Sequence, residues 1–271
     1  MASAKDFKNR LKSIASVQKI TKAMKMVAAS KLRLMQRNAE LARPMAATMS
    51  SFFGNLQVAY PADHAVLFTP ISSDKGLCGG VNSNITKLTK KLAAAVSTPA
   101  VYCVGEKGKD SFRIHMGKYV VSTASDVSKR LTSFLTASLV AENVLLNPAD
   151  EYVLVFNRFK SVISQLPASL SIPSYTRLLE ASSALDAYEF EGEKDELLLN
   201  LLEYYLGVSL YSALLENSTS EQGARMSAMD SASRNASDML NKLNLEYNKA
   251  RQAGITQELT EIVSCASAVS E

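Results

Sequence analysis

Residues 3–43 contain neither proline nor glycine, and their apolar positions recur at three- and four-residue spacing. Placed at about 100° per residue, Lys5, Lys8, Lys12, Lys19, Lys22, Arg33 and Arg37 share one arc. Ile14, Val17, Ile20, Met24, Val27, Ala28, Leu32 and Met35 gather on the opposite side. The pattern predicts one amphipathic helix, roughly 60 Å long at ~1.5 Å per residue, with Arg43-Pro44 as the first breaker. Lys25 and Lys31 interrupt it by lying at or inside the edges of the apolar face. The middle of that face is built from Met and Ala, which suits a thin partner packed closely.

From about residue 64 to 190 the periodicity changes. "HAVLFTPI" reads as a buried strand, followed by the glycine-rich "SSDKGLCGG" and a helical "NSNITKLTKKLAAAV". Then come the strand "AVYCVG", a short polar helix, the strand "KYVVSTA", a helix over 126–146 ("DVSKRLTSFLTASLVAENVLL") and the strand "EYVLVFNRF". Alternating strands and helices predict an α/β unit with a largely parallel sheet. Residues 161–174 read as further extended chain, with Pro167 and Pro173 marking an edge.

After Pro173 there is no proline, and residues 194–269 read as continuous helix, weakened only at Gly207, Gly223 and Gly254. Such a helix spans on the order of 110 Å, whereas helices average about 11–12 residues in globular proteins. Met226, Met229, Ser233, Ala236, Leu240, Leu243, Tyr247 and Ala250 repeat at the spacing of a coiled-coil seam. The economical fold is α/β: a long antiparallel coiled coil of N- and C-terminal helices plus a central Rossmann-like domain. The expected boundaries are 1–58 for the first helix, 59–192 for the α/β domain and 193–271 for the second helix.

Charge sharpens the reading. The 271-residue chain carries a formal net charge of +4. Residues 1–43 alone hold 11 basic and 2 acidic side chains, a local +9, so the other 228 residues sum to −5. The asymmetry points to an acidic or anionic partner for the N-terminal arm. A nucleic-acid arm lacks interleaved aromatics here, and a membrane-surface helix would carry bulkier apolar residues. An acidic protein surface and a plain solvated face stay open. No apolar run approaches the ~20 residues of a bilayer span. Cys78, Cys103 and Cys265 have no metal-site or redox spacing, which implies a reducing compartment. The basic, acid-poor N-terminus mimics a transit peptide, but its unbroken periodicity assigns it to the fold, and any presequence is expected to be gone.

"SDKGLCGG" sits between strand and helix, where phosphate loops occur, yet it matches neither the P-loop nor the dinucleotide fingerprint. The plainer reading is a tight turn needing positive φ at Gly76, Gly79 or Gly80. Cys78 as a nucleophile would need a base, and the chain has only His64 and His115. Asp74 and Lys75 are read as a local polar contact or a partner surface. Residues 262–270 carry no charge and are mostly Ala, Ser and Val, a slim helix end suited to an apolar sleeve. A frayed tail is the alternative. The rival functions are a nucleotide-dependent enzyme built on the α/β segment and a free-standing coiled-coil adaptor.

"LKSIASVQKITKAMKMVAASKLR", "SSDKGLCGG", "EQGARMSAMDSASRNASDM" and "YNKARQAGITQELTEIVS", in this order and spacing, resemble the gamma subunits of F-type ATP synthases over essentially the whole chain. "LVFNRFKSVIS" is most similar to mitochondrial members, and the cysteine-bearing insert of chloroplast forms is missing. The sequence departs from the family at Gly223, Gly254 and Cys265. The resemblance implies a central rotor stalk, turned by a proton-driven membrane c-ring, that drives catalytic beta subunits through their states. It implies alpha, beta, delta and epsilon subunits as partners, no nucleic acid, no cofactor and no catalytic residue of its own. Arg251, Gln252 and Met24 match family positions that contact beta. Lys25, Lys31 and Arg33 are candidate electrostatic contacts, and Asp74, Lys75, Gly76, Cys78 and Gly79 form the loop of the α/β domain. The implied location is the matrix side of the mitochondrial inner membrane, with the cytoplasmic side of a bacterial inner membrane as the alternative.

Overall fold

The computed structural model describes residues 4–56, 58–61, 63–127, 132–180, 185 and 188–270, with no side-chain account of 4 and 267–270. The elements in chain order are α1 (Ala4–Gly54), β1 (Ala65–Pro70), α2 (Val81–Ala93), β2 (Thr98–Val104), α3 (Glu106–Met116) and β3 (Val120–Ala124). They are followed by α4 (Phe134–Leu145), β4 (Glu151–Phe159), β5 (Gln165–Pro173), α5 (Tyr175–Glu180) and α6 (Lys194–Ser270). The chain forms two compact units: the segments up to Val27 and from Ser227 onward make one, and Ala28–Met226 makes the other.

The first unit is an antiparallel pair of helical segments. Every residue of the expected α6 seam, from Met226 outward to Ala250, is at least partly buried, with Met229 and Ala236 fully so. On α1 the buried stripe is Phe7, Leu11, Ile14, Ala15, Gln18, Thr21, Met24 and Lys25. Val17, Ile20 and Val27, expected on the apolar face, are instead 50%, 57% and 58% exposed. One thin partner covers only a narrow seam, so apolar positions at the margins of a wider arc stay in solvent.

The second unit holds a five-stranded sheet of order β3-β2-β1-β4-β5. Its first four strands pair in parallel and β5 joins β4 antiparallel as an edge strand, as its two prolines predicted. Side chains alternate across the sheet. Val66, Phe68, Val101, Cys103, Val153 and Val155 meet Ile85 and Ala93 of α2 and Phe112 and Met116 of α3. Leu67, Tyr102, Tyr152 and Leu154 face the other way, toward Phe53 of α1, Val140 and Val144 of α4, and Leu202, Tyr205 and Leu206 of α6. By length and composition α6 could cross a membrane, but more than half of its apolar stretch is buried inside the protein.

One expected breaker does not act and one expected helix start moves. α1 runs through Pro44 to Gly54, because one missing N–H and a steric clash are a local cost that the packing of Phe53 and Leu56 into the core outweighs. The helix expected over 126–146 begins at Phe134, where Ser133 accepts the backbone N–H of Thr136 and caps it. Asp126 adopts a left-handed φ of 62°, and residues 128–131 of that expectation lie outside the described residues.

Candidate functional site

In a doubly wound sheet, ligands bind at the carboxyl ends of the strands where the winding reverses. Here that point lies between β1 and β4. Beyond β1 the chain enters the glycine-rich loop. Its left-handed residues are Gly79, at φ 59°, and Leu77, at φ 62°, so Gly79 alone of the three candidate glycines needs positive φ. Asn82 locks the loop: its side-chain oxygen accepts the Ser73 N–H at 3.0 Å, and its amide donates to Ser73 Oγ at 2.8 Å and Cys78 Sγ at 3.3 Å. Cys78 is buried, and burial pushes its thiol up. Its hydrogen-bonding neighbours among the described residues are the Ser73 hydroxyl, the Asn82 amide and the Lys75 carbonyl, none of which is a base.

The N-terminus of α3 is where a phosphate would bind. One oxygen of Asp74 instead accepts the backbone N–H groups of Glu106 at 3.2 Å and Asp126 at 3.1 Å. Ser72 fills the remaining space: its hydroxyl donates to Val104 O at 2.8 Å and accepts the Gly108 N–H at 2.9 Å. A Cβ at Gly105 would come within 2.5 Å of Ser72 O, and one at Gly108 within 2.4 Å of Ser72 Oγ. These two glycines allow loop and helix to touch, and a resident carboxylate takes the anion's place.

The crevice itself is filled by α6. Asn157, at the end of β4, donates to Asn217 Oδ1 at 3.0 Å and to Val81 O at 3.3 Å, and its backbone carbonyl accepts from Ser220 Oγ at 3.0 Å. Glu216 accepts the Phe159 N–H at 2.8 Å and pairs with Arg43 of α1, whose other nitrogen donates to Phe159 O at 3.0 Å. The Glu216 hydrogen bond raises the Arg43 guanidinium above its ordinary value. One turn further on, Arg225 pairs with Glu221 and donates to Gly76 O at 3.2 Å. Burial pushes the Glu221 carboxyl up, against the downward pull of Arg225. At Gly223 a Cβ would lie 3.0 Å from the Phe159 ring, a tight contact that the ring would have to shift to relieve.

The other sequence-derived residues lie elsewhere. Lys75 and Gly79 are exposed and Asp74 and Gly76 half-buried in the loop. In the helix-pair unit Met24 is half-buried, Arg251 and Gln252 are exposed, and the Lys25 ammonium pairs with Asp230 at 2.5 Å. Lys31 and Arg33 are exposed on the α1 segment of the other unit. The candidate residues thus divide between the two units, with Met24, Lys25, Arg251 and Gln252 in one and Lys31, Arg33 and the loop in the other. The cluster of buried Asn157, Glu216, Asn217 and Ser220 with the half-buried Arg43 escaped sequence reasoning. Its signal was the polar run "ENSTSEQGAR" placed directly after the apolar "LGVSLYSALL" in one helix.

A doubly wound α/β unit with a sealed crevice, together with two very long terminal helices, defines a class of helix-pair α/β proteins. A family profile described as ATP synthase matches residues 3–269. The ATP synthase gamma chain of Pelagibacter ubique is 40% identical, covering 99% of this chain and all of that one. The mitochondrial ATP synthase subunit gamma of Ipomoea batatas is 42% identical over 97% of this chain and 84% of its own. A chain in the Tetrahymena thermophila mitochondrial ATP synthase central stalk and c-ring structure is 32% identical, with TM-score 0.70, covering 79% of this chain and 99% of its own. A chain of the Euglena gracilis mitochondrial enzyme shares the fold at TM-score 0.84 and 21% identity, over 98% and 94% of the two chains. The chain belongs to the ATP synthase gamma family.

Proposed function

We propose that this chain is the central rotor stalk of a proton-driven rotary ATP synthase, coupling rotation of a membrane c-ring to catalysis on beta subunits. The observation that carries the reading is the far end of α6. Residues 251–266 are exposed almost throughout, and the apolar side chains of Ile255, Leu259 and Ile262 are 49%, 57% and 64% exposed. A sleeve of alternating alpha and beta subunits covers these side chains. Arg251, Gln252 and Met24 contact beta. Lys31 and Arg33 are free to meet acidic loops, whereas Lys25 first has to leave Asp230. The α/β unit, with its loop of Asp74, Lys75, Gly76, Cys78 and Gly79, meets delta, epsilon and the c-ring. The chain carries no catalytic residue and no cofactor; the filling of its crevice by α6 supports this. Rotation biases a catalytic site because an asymmetric shaft makes different contacts with its different conformations.

The site of action is the membrane-associated sector of the enzyme, on the matrix side in a mitochondrion. Affinity-tagged chain purified from gently solubilised membranes is expected to bring down alpha and beta subunits with ATPase activity, and recovery alone would overturn the rotor reading. Fractionation decides the compartment, and equilibrium dialysis of the free chain with ATP, NAD and FAD is expected to find none bound tightly.

A further inference from the structure

The contact between α6 and the sheet changes character at residue 216. Before it, Leu206, Leu210, Ala213 and Leu214 pack by apolar contact. From it onward, Glu216, Asn217 and Ser220 are at most 3% exposed and meet the end of β4 through hydrogen bonds. Apolar burial is non-directional and lets a helix slide or roll between similar packings. Hydrogen bonds weaken steeply off axis, and a slipped buried polar group loses its partner and its water together.

The polar run is not explained by stability. Asn157 Oδ1 is buried with no partner among the described residues, and the Glu216 carboxylate leaves water to meet an Arg43 side chain that stays 38% exposed, a pairing whose Coulomb gain is offset by that desolvation. The best attested use of such groups is to fix register, as a buried asparagine does in a coiled coil.

We propose that Glu216, Asn217 and Ser220, with Arg43 and Asn157, form the torsional lock of the rotor. They hold α6 at one azimuth and one register against the α/β sheet, so torque on the sheet turns the helix instead of slipping past it. They act as positioning residues, and the proposal rests on the rotor reading. The seam joins three elements at one point. Arg43 belongs to α1, Asn157 and Phe159 to β4, and Glu216 and Asn217 to α6, so a roll of α6 breaks its bonds to Arg43, Asn157 and Phe159 at once.

The test uses the assembled synthase in sealed vesicles, with ATP synthesis measured over a series of imposed proton gradients. Asn157→Leu with Asn217→Leu replaces both partners of their shared bond by apolar groups of similar size, at the cost of the Asn157 donor to Val81 O. The double variant is expected to keep ATP hydrolysis without a gradient but to lose about fivefold in synthesis at the lowest gradient, an ordinary coupling factor. Glu216→Gln keeps one of the two acceptor oxygens and turns an amide donor toward either Phe159 N–H or Arg43, so it too is expected to lose synthesis at the lowest gradient. Where the double variant fails to assemble, Ser220→Ala removes only the bond to the Asn157 carbonyl and is expected to show a smaller loss confined to low gradients. Parent-level synthesis at the lowest gradient by the assembled variant overturns the proposal. Failure of the parent chain to assemble or to synthesise overturns the rotor reading instead.

Discussion

Replacing Gly105 by alanine tests whether the α3 N-terminus is as tightly closed as the geometry says. Gly105 has φ 96°, where a Cβ costs about 1–2 kcal/mol. The new Cβ would also lie 2.5 Å from the Ser72 carbonyl oxygen and 2.6 Å from its hydroxyl. A backbone oxygen cannot rotate aside, so Ser72 has to move. The movement breaks the bond from Ser72 Oγ to Val104 O and the bond from Gly108 N to Ser72 Oγ, each about 1 kcal/mol net. Together these come to about 3–4 kcal/mol, or roughly 10 °C in Tm for a chain of this size. The assay is urea and thermal unfolding of the purified chain followed by circular dichroism. Gly117→Ala is the control: φ is −54° and nothing lies within 4 Å of its Cβ, so a gain of about 0.4–1 kcal/mol is expected. A Gly105→Ala chain within about 1 kcal/mol of the parent would refute the close-approach argument.

Asp150 is held below the usual carboxylate range first by the backbone N–H of Ala65 and also by Arg177. Its contribution is present above the unfolded value and lost as pH falls through the lowered folded value. Asp150→Asn should therefore destabilise at neutral pH, with the difference from the parent closing in acid; urea midpoints at both pH values check this. In the free chain, brief iodoacetamide treatment should modify Cys265 alone. Cys265 is exposed, while Cys78 and Cys103 are buried, and burial pushes the Cys103 thiol up to about 12. Peptide mass spectrometry reads the sites, and early labelling of Cys103 would contradict its burial. The Lys25–Asp230 pair is partly exposed on both sides, so a double-mutant cycle to alanine should give no more than about 1 kcal/mol of coupling.

Much of this protein was legible along the chain. The two long helices, the seam from Met226 to Ala250 and the alternating strands each follow from a local period, because an amphipathic helix or a buried strand needs its apolar positions at fixed spacing whatever surrounds it. The edge position of β5 followed from Pro167 and Pro173, which cannot donate to a ladder. The start of α4 was misread because the apolar pattern after residue 126 gave no warning of the left-handed Asp126 or the Ser133 cap.

Local period also determined that this chain pairs its own ends and carries an α/β unit between them. Only the tertiary structure decided how wide the buried stripe of α1 is, and that helix persists through Pro44. It alone decided what fills the crevice at the sheet's reversal. The lock brings Arg43 within hydrogen-bonding reach of Glu216 across 173 positions and Asn157 of Asn217 across 60. A polar residue in one helix carries no record of a partner so far away along the chain. Which groups pair is settled when each buried donor finds the acceptor that the packed sheet and helices leave for it.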